Sequence, residues 1–290
     1  MSEIIQDYLH NSAHKNFIRN KWVEFIQDVL TENEELGIIT FPAEEMQDLI
    51  LFKETGLIDW EETETGGFNI TKGKVICFEK NTTIFMKLRT KLIGAVVETT
   101  EIGAYLRINH HRIMSGNQGV FPVNAINLDY DGNLSLNKVP IQEKIDLIFK
   151  FQAYHTQNFS LFITWPETET EDTADYKALL RQTIANNLED PSATSFRDRF
   201  LENYELEELN YDNLSIIGLT KLIFRNSSNT YFKLVKHEFY VYGGNGRRKM
   251  YSILLNFEFI GNGTSQNTIY SQDVASALSE IEILQNQPEA

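Results

Sequence analysis

The sequence predicts an α/β protein with a mostly parallel sheet, helices on both faces of that sheet and an antiparallel hairpin near the carboxyl end. Two observations predict this fold. Short apolar strand patterns alternate with amphipathic helix patterns over most of the chain, which is typical of parallel sheets. Two long β-patterned segments then follow one another, joined by the turn sequence GGNG. This order excludes an all-β and an all-helical fold.

The first elements set the alternation. Residues 16–30 carry apolar side chains at helical spacing, and Gly37 ends that pattern before a short strand over 38–41. A second helix begins at Glu44, with acidic residues in its first turn, which suits the helix dipole. The acidic segment that follows predicts a loop or a small hairpin, because Gly66-Gly67 can form a tight turn.

The remaining elements repeat the same pattern. The predicted strands cover 74–79, 95–101, 121–129, 159–166, 230–242 and 248–260, and the predicted helices cover 81–94, 139–155, 173–188 and 195–209. Residues 213–226 fit either state. We expect a single domain over 1–290, with an N-terminal helix over 14–31, a core over about 36–262 and a tail over 263–290.

Composition limits the possible functions. The chain has 290 residues, of which 42% are hydrophobic, as in an ordinary folded domain. The N-terminus lacks a basic region followed by an apolar stretch, and Cys77 is the only cysteine. We therefore expect a soluble cytoplasmic protein with no membrane segment, disulfide framework or cysteine-based zinc site. The net charge is −15, which repels nucleic acid at long range.

Polar residues end several predicted strands, where open α/β sheets bind their ligands. Glu79 ends the strand KVICFE, and Glu101 follows the strand AVVETT. The segment INLDYDG places Asn127, Asp129 and Asp131 at the end of an apolar strand. A turn that caps the strand explains the last group equally well.

This order of elements resembles the class I, Rossmann-like, S-adenosylmethionine-dependent methyltransferases, whose three-layer fold also ends in a hairpin with its last strand inserted into the sheet. The segment INLDYDG resembles the DLDPFG-type segment of the Trm1-like tRNA guanine methyltransferases, without its proline. The resemblance covers about residues 16–260 and implies a methyltransferase that acts on a nucleobase or another amine, with S-adenosylmethionine as its cofactor.

The resemblance also implies roles for individual residues. Glu79 would bind the ribose, and Asn127, Asp129 and Tyr130 would orient the acceptor. A polar residue after the third strand would lie near the adenine; the candidates are Glu101, which we take first, and Glu98, Thr99 and Thr100. The loop after the first strand would hold the methionine end of the cofactor, and its residues are Thr40, Phe41, Pro42, Ala43 and Glu44. Members of the family have a glycine-rich loop there, and Ile39–Glu45 contains no glycine.

Two other functions stay open. Without the glycine loop, the chain could be a degenerate methyltransferase that serves as a binding or scaffold subunit, and its acidic surface suits a protein partner. Alternatively, a group of carboxylates could hold Mg²⁺ in a nuclease; its candidates are Asp129, Asp131, Glu143 and Glu167.

Three weak basic clusters could contact a nucleic-acid backbone, although simple surface charge explains them as well. One is the segment NHHR at 109–112 together with Arg107, and another is GGNGRRK at 243–249. The third comprises His14, Lys15, Arg19 and Lys21.

Overall fold

The protein is described by a computed structural model over residues 13–32, 34–115, 120–130, 141–167, 173–190, 194–243, 249–277 and 282–283. Within these ranges the α-helices are α1 (Ala13–Val29), α2 (Gln47–Glu54), α3 (Thr82–Lys91), α4 (Ile102–Ile108), α5 (His110–Met114), α6 (Ile141–His155), α7 (Thr173–Glu189), α8 (Thr194–Asn203), α9 (Tyr211–Asn229) and α10 (Gln266–Ala277). The strands are β1 (Gly37–Thr40), β2 (Asp59–Glu62), β3 (Phe68–Lys72), β4 (Lys74–Phe78), β5 (Leu92–Ile93), β6 (Val96–Glu98), β7 (Ala125–Asp129), β8 (Phe159–Pro166), β9 (Phe232–Tyr242), β10 (Met250–Phe259) and β11 (Glu282–Ile283).

Eight strands form one sheet in the order β11-β9-β10-β8-β7-β1-β4-β6. The strands β6, β4, β1, β7 and β8 run parallel to one another. The strand β10 runs antiparallel and lies between β8 and β9. The predicted α/β fold is therefore confirmed, including the last long strand inserted into the sheet. A separate small sheet has the order β2-β3-β5, and its antiparallel β2–β3 pair is the hairpin that one of the two interpretations of the acidic segment predicted.

Helices cover both faces of the large sheet, which gives the predicted three layers. On one face, α1, α2 and α3 bury apolar side chains such as Phe25, Phe52 and Leu88 against the sheet. On the other face, α4, α6, α9 and α10 bury a larger apolar cluster. Alternate residues of each strand supply the two clusters, as the strand geometry requires.

The ambiguous segment 213–226 lies in helix α9. It is buried along most of its length, between the sheet and α7. Gly218 allows this close approach, because a Cβ atom there would lie 2.8 Å from Cδ2 of Leu180. An apolar run buried on several sides is compatible with a helix or a buried strand, so the sequence pattern could not separate them.

Several element boundaries differ from the predictions: for example, β6 covers Val96–Glu98 rather than 95–101, and α8 ends at Asn203 rather than at 209. Helix α2 begins at Gln47 rather than Glu44, because Ala43–Met46 form a turn and Met46 has a left-handed φ of 51°. The tail contains α10, of 12 residues, and β11 adds to the sheet parallel to β9. None of the helices in the described part of the chain has the length and apolar character needed to cross a bilayer.

Candidate functional site

The carboxyl ends of the parallel strands form one rim of the sheet. Strand β1 lies between β4 and β7 and runs parallel to both of them. Glu79 follows β4 directly and Asp129 ends β7, so both residues lie at this rim. Both side chains are partly exposed. In open α/β sheets this is the position of the ligand crevice.

Glu79 organises the start of the helix that follows it. Its Oε1 atom accepts a hydrogen bond from the backbone N–H of Asn81 at 2.6 Å. Asn81 then caps α3, because its Oδ1 atom accepts from the N–H groups of Thr83 and Ile84. One oxygen of the Glu79 carboxylate is therefore used by the turn that begins α3.

The loop after β1 packs onto the neighbouring strand ends and helix. The ring of Phe41 lies with its centroid 6.3 Å from that of Phe78 and 6.4 Å from that of Tyr130. Pro42 is buried, and Glu44 forms an ion pair of 2.6 Å with Lys87. Every residue of this loop carries a Cβ atom, which hinders the close backbone approach that glycine allows.

A buried ion pair joins α4 and α6 next to the rim. Lys144 is fully buried, and its Nζ atom lies 2.6 Å from Oε1 of Glu101. Lys144 also donates to the hydroxyl of Tyr130 at 3.3 Å. Burial lowers the pKa of Lys144, and the Glu101 carboxylate opposes this change. Glu101 also caps α4 by accepting from the N–H of Ala104 at 3.1 Å.

A second buried polar cluster lies on the opposite face of the sheet. Asn127 is fully buried, and its Nδ2 atom is 3.4 Å from both Oγ1 of Thr40 and Oδ2 of Asp48. Asp48 accepts from Nε of Arg19 at 2.7 Å. This cluster joins β1 and β7 to α1 and α2, so Asn127 lies beneath these helices.

The three residues predicted at the acceptor are thus divided between the two faces of the sheet. Successive side chains of a strand alternate. Asn127 lies on the face covered by α1 and α2, whereas Tyr130 contacts Phe41 and Lys144 on the other face. Asp129 lies on the same face as Asn127, close enough to Tyr242 to raise the pKa of that buried phenol together with burial.

The predicted basic clusters have different environments. Arg19 is buried and paired with Asp48, and Arg107 is paired with Glu143 through two hydrogen bonds. Arg112 is exposed. Residues 244–248 of the GGNG turn and its following arginines lie outside the described residues.

The carboxylates proposed for a nuclease do not converge where the structure describes them. No three His, Cys, Asp or Glu side chains come together as a metal site in the described ranges. Glu143 is engaged by Arg107. Asp131 lies outside the described residues.

Sequence reasoning missed Lys144 and Asp48, although the pattern contains a signal for the lysine. Ile141, Lys144, Ile145 and Ile148 have the spacing i, i+3, i+4 and i+7, which places them on one face of α6. A lysine within an apolar stripe predicts a buried, paired cation. Its partner Glu101 is 43 residues away, and only the folded chain brings the two together.

No protein-family profile and no curated protein matches this sequence. Solved structures that this chain resembles include M. jannaschii TYW2 in complex with AdoMet, which is 10% identical with a TM-score of 0.36 and covers 86% of this chain and 78% of its own. The structure of SMU.1697c from Streptococcus mutans in complex with SAH is 11% identical with a TM-score of 0.34, covering 81% of this chain and 96% of its own. A SAM-dependent methyltransferase from Methanosarcina mazei is 12% identical with a TM-score of 0.36, covering 80% and 95%. Structural similarity at these TM-scores and identities does not support an inference about function. The fold assignment rests on the strand order of the sheet.

Two features of the rim differ from the pattern that the resemblance implies for S-adenosylmethionine: the loop after β1 contains no glycine, and Glu101 is paired with Lys144. The rings of Phe41 and Tyr130 lie side by side at the end of β1, and Glu101 is engaged by the fully buried Lys144. The chain thus has an α/β fold in which aromatic rings and a buried ion pair lie at the carboxyl ends of the parallel strands.

Proposed function

We propose that this protein is a catalytically degenerate methyltransferase-fold protein that serves as a binding or scaffold subunit. The observation that carries this proposal is the packing of Phe41 against both Phe78 and Tyr130 across the ends of three adjacent strands. The rings bury apolar surface at the place where a cofactor would need an open crevice. Opening it would expose that surface and uncover the Glu101–Lys144 pair, both of which are unfavourable.

The surface charge supports a protein partner over a nucleic acid. The net charge is −15, and two of the arginines predicted to contact phosphate are engaged by carboxylates of this chain. A protein with this charge attracts basic partner surfaces and repels a polyanion.

A second candidate function is an S-adenosylmethionine-dependent methyltransferase that acts on a nucleobase or another amine. The shared rim position of Glu79 and Asp129 favours it, because both carboxylates are partly exposed on strands that flank β1. Glu79 would accept from the ribose hydroxyls, and Asp129 would accept from the acceptor amine. Binding of this kind requires Phe41 and Tyr130 to move apart.

Titration calorimetry and thermal unfolding with S-adenosylmethionine distinguish the two functions. A ligand at 100 times its Kd would stabilise the fold by about 2.7 kcal/mol. For the scaffold function we expect no saturable heat and no shift in Tm at millimolar ligand. Glu79→Ala tests the ribose carboxylate, and Glu45→Ala is a matched control because Glu45 is exposed near the same rim. Saturable binding that Glu79→Ala abolishes and Glu45→Ala preserves would establish the second candidate.

A further inference from the structure

The two edges of the large sheet differ in what pairs with their outer strands. At one edge, β11 pairs with Tyr240 and Val241 of β9, and Asp273 accepts a hydrogen bond from the N–H of Leu234 at 3.0 Å. At the other edge, no strand in the described ranges pairs with the outer side of β6. An unpaired strand edge presents backbone donors and acceptors to an added strand.

The outward groups of β6 belong to Val97. The N–H of Glu79 donates to the carbonyl of Glu98 at 2.9 Å, so the main chain of Glu98 faces β4. The main-chain groups of one residue point to the same side of a strand, and this side alternates along the chain. Val97 therefore directs both its N–H and its carbonyl away from β4.

A cleft of about 370 Å³ lies beside this edge. Val96 and Glu98 line it from the strand, and Tyr105, Ile108 and Arg112 line it from the helices. Tyr105 and Ile108 lie on α4, and Arg112 follows on α5, which is joined to α4 through Asn109 by hydrogen bonds to Tyr105 and from Ile113. Ile108 is 76% exposed, which is unusual for a large aliphatic side chain on a folded surface. A free strand edge beside a helix is the arrangement that binds an extended peptide.

The cleft carries opposite charges at its two ends. Glu98 lies at the carboxyl end of β6, and α4 begins just beyond this end and runs back along the strand. Arg112, at the far end of the helical wall, therefore lies toward Val96. Neither Glu98 nor Arg112 forms an ion pair with another residue in the described part of the chain.

We propose that β6 and this cleft bind an extended segment of a partner protein as an added antiparallel strand. The bound segment carries a basic side chain opposite Glu98 and an acidic side chain two residues later, toward Arg112. In an antiparallel pair, one residue can exchange both hydrogen bonds with Val97. Its two neighbours then project from the same face, into the cleft. This inference goes beyond the proposed function and does not depend on whether S-adenosylmethionine binds.

The test uses peptides labelled with fluorescein at the amino terminus and the full-length protein. The probe is fluorescein-Thr-Lys-Val-Glu-Thr-amide, and the control with reversed charges is fluorescein-Thr-Glu-Val-Lys-Thr-amide. By fluorescence anisotropy we expect the probe to bind about five-fold or more tightly than the control, because only the probe matches both charges in the antiparallel direction. Methylation of the valine nitrogen should weaken binding of the probe by a similar factor, since it removes the donor to the Val97 carbonyl.

Protein variants locate the site. Val97→Pro removes the outward N–H and should abolish probe binding, whereas Val97→Ala keeps that N–H and should retain binding. Glu98→Gln should weaken binding of the probe and strengthen binding of the control peptide, because it removes an attraction to lysine in the first and a repulsion of glutamate in the second. The proposal is overturned if the probe does not bind at millimolar concentration, or if charge reversal and N-methylation have no effect. The peptide variants keep the test decisive if Val97→Pro unfolds the protein.

Discussion

Lys144 and Lys221 are both buried, but only Lys144 has a carboxylate partner among the described residues. Lys144 is fully buried and lies 2.6 Å from a carboxylate oxygen of Glu101. Lys221 is 3% exposed, and its Nζ atom lies 3.3 Å from the ring centroid of Phe196 with no hydrogen-bond partner among the described residues. Burial lowers the pKa of Lys221 to about 6, against a weaker opposing effect of Asp190. Lys144 therefore has a carboxylate partner within ion-pair distance, whereas the Lys221 amine lies against an aromatic ring without one.

The two environments show that an ion pair stabilises the region around the strand ends, whereas apolar packing stabilises the region around Lys221. The pair Glu101–Lys144 connects α4 to α6 and contacts Tyr130. Lys221 lies in the helical layer between α9 and α8, where apolar packing dominates. Replacing Lys144 by an apolar residue should therefore lower the free energy of unfolding, and the same replacement of Lys221 should raise it.

The largest expected effect is that of Lys144→Met. It leaves Glu101 buried without a cation, which should lower the free energy of unfolding by about 3–5 kcal/mol. Urea unfolding at pH 7 measures this change. Lys150→Met on the same helix is the matched control, because Lys150 is half exposed and its pair with Asp146 should contribute less than about 1 kcal/mol. The double variant Lys144→Met/Glu101→Gln should recover at least half of the loss; no recovery would contradict a direct coupling.

Lys221→Met should have the opposite sign and a smaller size. It replaces an unpaired buried amine by an apolar side chain of similar length, which should raise the free energy of unfolding by about 1–3 kcal/mol at pH 7. The same urea experiment gives the value. A destabilisation would mean that the amine has a structural partner and that the two lysines are alike.

The stabilising effect of Lys221→Met should depend on pH. The folded-state pKa of Lys221, about 6, lies below the unfolded value of 10.5, so the unfolded state binds more protons between these limits. Stability of the wild type should rise with pH in this window, by at most about 1.4 kcal/mol per pH unit from this group. The advantage of Lys221→Met should therefore be largest near pH 6 and shrink toward pH 10. An advantage that stays constant over this range would refute the lowered pKa.

Asp273 is a buried acid whose pKa is also shifted by burial. Burial raises its pKa to about 7, against the opposing effects of the Leu234 N–H and Lys233. The folded state binds more protons than the unfolded state between about pH 4 and 7, so this group's contribution to stability falls as pH rises through that window. Asp273→Asn keeps an acceptor for Leu234 and should gain about 1 kcal/mol at pH 8. Thermal unfolding at pH 5 and pH 8 should show a gain only at the higher value.

The smallest effect is expected at Glu79. Glu79→Ala removes one hydrogen bond to Asn81 at a partly exposed turn, and the free energy of unfolding should fall by less than about 1 kcal/mol. Chemical unfolding measures it beside Glu45→Ala. A loss as large as that of Lys144→Met would make Glu79 a central structural residue of the rim.

The sequence predicted the fold well because its signals are local. The helix predicted over 81–94 forms as α3, and Asn81 caps it, because the side chain and the N–H groups that it binds are close in sequence. The segment 213–226 could not be assigned because buried helices and buried strands share an apolar pattern. At the rim, sequence placed Glu79 and Asp129 at strand ends, where they lie, but it grouped Asn127 with Tyr130 although strand alternation separates them.

By itself, the sequence determined the alternation of strands and helices, the terminal hairpin and the absence of glycine from the loop after β1. These features depend on residues that are neighbours along the chain. The tertiary structure alone decided that Phe41, Phe78 and Tyr130 meet across three strands and that Glu101 reaches Lys144. The physical reason is that such contacts join residues far apart in sequence, and a crevice is open or filled according to side chains that only the folded chain brings together.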